Sequence, residues 1–246
     1  MREEWITSRK NPLLVQIRRL ASSRGARRSA GMFLGDGVKL LEEALKWGAP
    51  LETVVYSEGL DGPELPPEVR TVRVPEDVMA SISPMESPQG ALFLCRMWDT
   101  APPPRLEGGR YLVLDGLQDP GNVGTIWRTA DALEADGLLL VHGCADPFGP
   151  KVVRATMGAC FRLPVWETGP ERLADLLERS GLALYATALR EDTEDIKTAD
   201  LSRSAVVIGS EGRGVSPELL AMSQRARCES LNAAAAAAVV LWEMGR

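Results

Sequence analysis

The spacing of apolar and polar residues predicts an α/β chain in two parts. Residues 11–22 (NPLLVQIRRLAS) and 38–48 (VKLLEEALKWG) space their apolar positions like a helix face, and Gly48 marks a helix end. Residues 33–34, 51–57 (LETVVYS) and 91–97 (ALFLCRM) read as strands, with a proline-rich stretch, 61–75, between the last two. Three consecutive prolines and two glycines in TAPPPRLEGG predict a linker at 100–109, dividing a first domain, 1–99, from a second, 110–246.

Beyond the linker, apolar runs alternate with amphipathic ones. YLVLDG (111–116), LLLVHG (138–143), RLPVW (162–166), LALYATAL (182–189) and AVVIGS (205–210) are short enough for buried strands. Between and after them lie TIWRTADALEA (125–135), VVRATMGA (152–159), ERLADLLERSG (171–181), PELLAMS (217–223) and the final helix SLNAAAAAAVVLWEM (230–244). Such alternation implies a parallel sheet covered on both faces. Ligands of such sheets bind at the carboxyl ends of the strands, so the loops there are the places to look for chemistry.

Composition narrows the classes. At 246 residues, 45% hydrophobic and 25% charged, the chain is ordinary globular material. No apolar run reaches the roughly 18–20 residues of a membrane helix, and the first residues lack a secretory signal. Cys95, Cys144, Cys160 and Cys228 form no CxxC pair, so a reduced, cytoplasmic protein is expected. With His142 as the single histidine, histidine-rich metal sites and His–His acid/base pairs are excluded, and no metal is expected. Neither GxGxxG after the first strand nor GxxxxGK[ST] occurs, which removes the common dinucleotide and nucleotide sites.

Charge changes the picture again. The net charge is −6, yet residues 1–30 hold eight basic residues (Arg2, Arg9, Lys10, Arg18, Arg19, Arg24, Arg27, Arg28) against Glu3 and Glu4. A basic arm on an acidic body points to a polyanion partner, unless it is only a solvated helix face.

Three loops carry the candidate chemistry. The first, 114–128 (LDGLQDPGNVGTIWR), leaves a strand and enters a helix carrying Arg128; Asn122 offers a donor and an acceptor, and Gly121 and Gly124 permit close approach or positive φ. The second, 208–217 (IGSEGRGVSP), could form a nest of N–H groups from its three glycines. Glu211 inside it disfavours a bare phosphate and favours a polar or cationic ligand. The third is Glu229-Ser230-Leu231-Asn232, where Ser230 could cap the last helix with Asn232 in its first turn. Each loop alone also reads as ordinary turn or capping chemistry.

Together, Asn122-x-Gly124-x-x-x-Arg128, Gly209-Ser210-Glu211-Gly212-x-Gly214 and Ser230-Leu231-Asn232 resemble the three signature motifs of the SpoU/TrmH family of RNA ribose 2′-O-methyltransferases. The first half is similar too, through Ile6-Thr7-Ser8, Asn11-Pro12, Arg27, Phe33-Leu34-Gly35-Asp36-Gly37 and Glu43-Ala44. Those segments resemble the family's RNA-substrate-binding domain. The resemblance implies a small L30e-like α/β domain followed by a parallel-sheet α/β domain with a trefoil knot, an exception to the rule of unknotted chains. It also implies a homodimer formed through the C-terminal domain. S-adenosylmethionine would be the cofactor, contacted by Gly209 and Leu231 and by Thr187 as a third.

The implied reaction carries a methyl group to a ribose 2′-hydroxyl of RNA, ribosomal RNA before tRNA. The other readings are a tRNA enzyme and a non-catalytic RNA-binding protein on this fold. The family's arginine, here Arg128, is proposed as a base, but a guanidinium stays protonated, which favours phosphate binding and stabilisation of oxyanion charge. Asn122 and Asn232 would then orient the ribose and Arg128, with Glu211 and Ser230 holding them. One departure stands out: 224–230 reads QRARCES where family members usually carry an Ile-Pro-Met segment.

Overall fold

The structure is a computed structural model that describes residues 4–188, 193–227 and 231–246. Its chain divides into two compact units. The first comprises residues up to Trp98 together with Phe148–Phe161, and the second comprises Asp99–Pro147 and Arg162–Arg246. Residues 148–161, which the linker-based reading assigns to the second domain, thus group with the first.

In the first unit the chain runs β1 (Glu4–Trp5), α1 (Pro12–Ser22), α2 (Arg24–Ala30), β2 (Met32–Asp36), α3 (Val38–Lys46), β3 (Leu51–Ser57), β4 (Arg70–Val74), α4 (Glu76–Ile82) and β5 (Ala91–Arg96). The strands form one sheet in the order β1-β4-β3-β5-β2. Leu14, Ile17 and Leu20 of α1 pack with Leu34, Val55, Val72 and Leu92 of the sheet to make its core. Gly35 faces Phe93 across the β2–β5 pair, and a Cβ there would overlap the phenyl ring.

Two expectations change here. The proline-rich stretch conceals β4 and is followed at once by α4, because the prolines cluster before Arg70 and leave RTVRV free to pair with β3. The basic N-terminal residues are also no detached arm. Arg18 and Arg19 ride on α1, whose apolar face is core, and the Arg27 side chain is buried, donating to the Leu20 carbonyl at 2.6 Å.

The second unit continues with β6 (Arg110–Asp115), α5 (Pro120–Ala132) and β7 (Gly137–Val141). After α6 (Pro150–Ala155), which belongs to the first unit, come β8 (Val165–Glu167), α7 (Pro170–Ser180), β9 (Ala183–Ala188), β10 (Glu194–Asp195), β11 (Ser204–Gly209), α8 (Pro217–Met222), β12 (Gln224–Arg227) and α9 (Ala233–Met244). Seven strands, all paired in parallel, lie in the order β10-β12-β9-β11-β6-β7-β8. Parallel strands need covered faces, and both are covered. Leu173, Leu176 and Leu177 of α7 and Leu219 of α8 pack with Val113, Leu139, Ala186 and Val207. Elsewhere α9 lies along α5 and touches β6 and β11. Its buried Ala236 and Ala237 carry small side chains that permit this close approach.

The QRARCES stretch begins as a strand, β12, inserted between β9 and β10, while Cys228, Glu229 and Ser230 lie outside the described residues. No described helix is long and apolar enough to cross a membrane.

Candidate active site

Neighbouring parallel strands bring distant loops together. Gly209, the last residue of β11, pairs in register with Asp115, the last of β6. The loops that follow them therefore leave the sheet side by side at its carboxyl edge.

The first loop turns into α5 earlier than expected. Asp119 caps the helix, its carboxylate accepting the Asn122 backbone N–H at 2.7 Å, and Pro120 fills the first helical position, where its missing N–H costs nothing. Gly121 and Gly124 consequently lie inside the helix rather than in a turn of positive φ. Asn122 stands in the first turn, at the rim of the sheet.

The second loop closes on itself. Ser210 and Gly214 exchange backbone hydrogen bonds of 3.0 and 2.7 Å, so those two N–H groups are spent within the turn and are not available to a ligand. Gly214 supplies the positive φ of +67° that this closure needs, and a Cβ on Gly209 would collide with the backbone of Gly214 and Val215. Glu211 projects from the turn into solvent.

At the third loop the cap belongs to Asn232, not Ser230. Helix α9 starts at Ala233, and the Asn232 Oδ1 accepts the Ala234 N–H at 2.9 Å. That bond fixes the orientation of the amide, leaving Nδ2 as a donor. It donates to Glu211 Oε1 and to Asn122 Oδ1, each at 3.3 Å. The Asn122 Nδ2 also donates to Glu211 Oε1. One carboxylate oxygen thus collects two amide donors, and the three motifs meet in one cluster. Such charge-assisted bonds are stronger than neutral ones and hold all three side chains in register.

The other expected site residues are placed differently. Arg128 is exposed on α5, six residues beyond Asn122, which is about 9 Å along a helix and on another face. Among the described residues it bonds to none of the three, so the two asparagines hold Glu211 rather than Arg128. The half-buried Thr187 donates its hydroxyl to the Val207 carbonyl at 2.8 Å, tying β9 to β11. Leu231 is 48% exposed beside the cluster, and Ser230 lies outside the described residues.

A second constellation lies at the same edge, outside the three motifs. Asp115 is 3% exposed, and each of its oxygens has a partner: Oδ1 lies 2.6 Å from His142 Nδ1, and Oδ2 accepts the Ser216 N–H at 2.6 Å. The His142 Nε2 lies 3.2 Å from Glu218 Oε2. These hydrogen bonds, first of all the one to Asp115, raise the His142 pKa above its ordinary value. Asp115 and His142 each stand at the end of an apolar run, but only the pairing of β6 with β7 brings the two together.

The donor set suits S-adenosylmethionine better than a phosphate ligand. A sulfonium is cationic and adenosine is amphipathic; the loops offer a carboxylate, backbone groups around Gly209 and the exposed face of Leu231.

Comparison with known proteins gives the chain's family. Residues 109–242 match the family described as SpoU rRNA methylase, and residues 11–92 match an MRM3-like substrate-binding domain. The chain is 37% identical to an uncharacterized tRNA/rRNA methyltransferase of Synechocystis sp., across 98% of this chain and 93% of that one. It is 32% identical to the 23S rRNA (guanosine(2553)-2′-O)-methyltransferase RlmP of Bacillus subtilis, across 97% and 98%. A crystal structure of an AdoMet-bound rRNA methyltransferase from Sinorhizobium meliloti superposes with a TM-score of 0.84 at 30% identity, covering 98% of this chain and 97% of that one. The chain belongs to the SpoU rRNA methylase family, S-adenosylmethionine-dependent RNA 2′-O-methyltransferases.

Proposed function

We propose that this protein methylates a ribose 2′-hydroxyl of ribosomal RNA at the edge formed by the loops after β6 and β11 and the start of α9. The observation that carries this reading is the single hydrogen-bonded cluster of Asn122, Glu211 and Asn232, drawn from three distant segments. When bound, S-adenosylmethionine supplies an electrophilic methyl group.

The chain's own residues do the positioning, which in ideal cases is worth about 7–11 kcal/mol. The backbone at Gly209, Leu231 and the half-buried Thr187 contact the cofactor. Asn122 and Asn232, held by Glu211, set the ribose. Arg128, a permanent cation, takes the adjacent RNA phosphate and stabilises charge developing on the attacking oxygen. Ser230 stays with the third motif as a supporting residue.

The first unit, with its basic helices α1 and α2, binds the RNA; the match of 11–92 to a substrate-binding domain supports that division. Ribosomal RNA is favoured over tRNA because RlmP, similar over nearly its whole length, is a 23S rRNA enzyme. Homodimerisation belongs to the same reading. Val239 and Trp242 are 42% and 65% exposed on one face of α9, an apolar surface that a second copy would cover. A knotted path for the C-terminal segment, and a cytoplasmic location consistent with the buried free thiols of Cys95, Cys144 and Cys160, complete it.

The test is transfer of a labelled methyl group to ribosomal RNA and tRNA, with nuclease mapping of the product. Label in a 2′-O-methylated ribosomal nucleotide, lost in Glu211→Ala, is the expected result. Label confined to tRNA or to a base would overturn it.

A further inference from the structure

We propose that Asp115 and His142 are positioning residues for the cofactor loop, stapling the segment from Gly209 to Ser216 to the ends of β6 and β7. The inference deepens the proposed function, because it rests on that loop receiving S-adenosylmethionine.

The loop has two roots. One is Gly209, held by its register with Asp115. The other is Ser216, which caps α8 and whose N–H is bound by the Asp115 carboxylate. A single buried residue therefore ties both ends of the segment that carries Glu211, through its backbone beside Gly209 and its carboxylate at Ser216. His142 adds the second half of the staple. It sits just past β7 in a left-handed conformation, φ +54°, which bulky residues seldom adopt. There it spans from Asp115 to Glu218 in the first turn of α8.

Both ring nitrogens face carboxylates. A neutral imidazole has one N–H, so it satisfies only one of them; the imidazolium satisfies both. The facing titratable groups are Asp115 from β6 and Glu218 from α8, with Cys144 nearby against Asp115 and kept neutral by burial. On deprotonation the buried Asp115 retains the remaining N–H, and the bond to the half-exposed Glu218 is the one released. The raised pKa sets the sign: the staple is complete below pH 6.5 and opens as pH rises through the higher folded value.

The chain's single histidine makes the test direct, since its imidazole gives one set of NMR signals with no assignment problem. The His142 titration and the Kd for S-adenosylhomocysteine, by calorimetry, are measured from pH 5.5 to 9 for the wild type, Glu218→Gln and His142→Asn. Asparagine tolerates the left-handed backbone and keeps a neutral donor. A wild-type pKa above 6.5 that falls in Glu218→Gln is expected, with affinity weakening about three- to tenfold across that titration, the size of one ordinary hydrogen bond lost at a half-exposed partner. His142→Asn should bind weakly and with a flat profile.

A pKa at or below 6.5, or one unmoved by Glu218→Gln, overturns the staple. Affinity independent of the His142 titration overturns its role in holding the loop while leaving the cofactor site intact. Failure of the wild type to bind S-adenosylhomocysteine at any pH overturns the site and this inference together.

Discussion

The side-chain amide of Asn232 bonds in two directions, capping α9 through Oδ1 and reaching Asn122 through Nδ2 at 3.3 Å. One residue thus serves helix stability and site geometry through different atoms, and substitutions can separate the two.

Asn232→Ala removes both functions. Loss of the cap should cost about 1 kcal/mol in thermal unfolding, and methyl transfer should fall at least about tenfold. Asn232→Asp keeps a capping oxygen but sets a second carboxylate beside Glu211. Its stability should stay within about 0.5 kcal/mol of wild type while transfer falls as in the alanine variant. Full activity in Asn232→Asp would show that the cluster does not matter.

Gly209 and Gly212 make a contrast within one loop. Gly209→Ala forces a methyl group against the Gly214 backbone, whereas nothing lies within 4 Å of a Cβ on Gly212. Calorimetry with S-adenosylhomocysteine should show binding lost or weakened at least about tenfold in the first, in line with a cost of about 1–3 kcal/mol for overpacking. Gly212→Ala should bind within about twofold of wild type.

Arg128→Lys retains the charge and loses the planar fork. The turnover number should fall about 10- to 100-fold with RNA affinity changed by less than about threefold, as for a donor that matters most as charge develops. Near-full turnover would contradict a geometric role for the guanidinium.

The basic helices predict an electrostatic signature. Because α1 is core, deleting residues 1–30 would unfold the unit, so neutralisation is the usable experiment. Lys10→Gln, Arg19→Gln and Arg24→Gln together, all at exposed positions, should weaken RNA binding and lower the salt dependence by up to about one counterion per contact removed. The Kd for S-adenosylhomocysteine should not move.

Much of this architecture was legible in the residues. The run LETVVYS matches β3 end to end, and the alternation after residue 110 predicted a parallel sheet because buried strands there are uniformly apolar. The elements the pattern hides are short or polar. RTVRV hid behind prolines, QRAR carries too little apolar character to announce a strand, and α2 (RGARRSA) buries an arginine, Arg27, instead of an apolar stripe. At the site, motif order identified Asn122, Glu211 and Asn232, but only three-dimensional register could reveal that Asp115 and His142 meet. The reach of Arg128 is not legible in the sequence, since helix phase depends on where α5 begins, and the Asp119 cap starts the helix five residues before its apolar pattern does.

The assignment of Phe148–Phe161 to the first unit means that the backbone passes between the two units three times. Neither half is a contiguous stretch of sequence. A fragment starting at Asp99 would carry Phe148, Val152 and Val153 away from their own core and leave them bare, a recipe for aggregation rather than an independent catalytic module. Gene fusions, shuffled chimaeras and protease nicks at the proline-rich junction should therefore preserve this protein whole or lose it altogether.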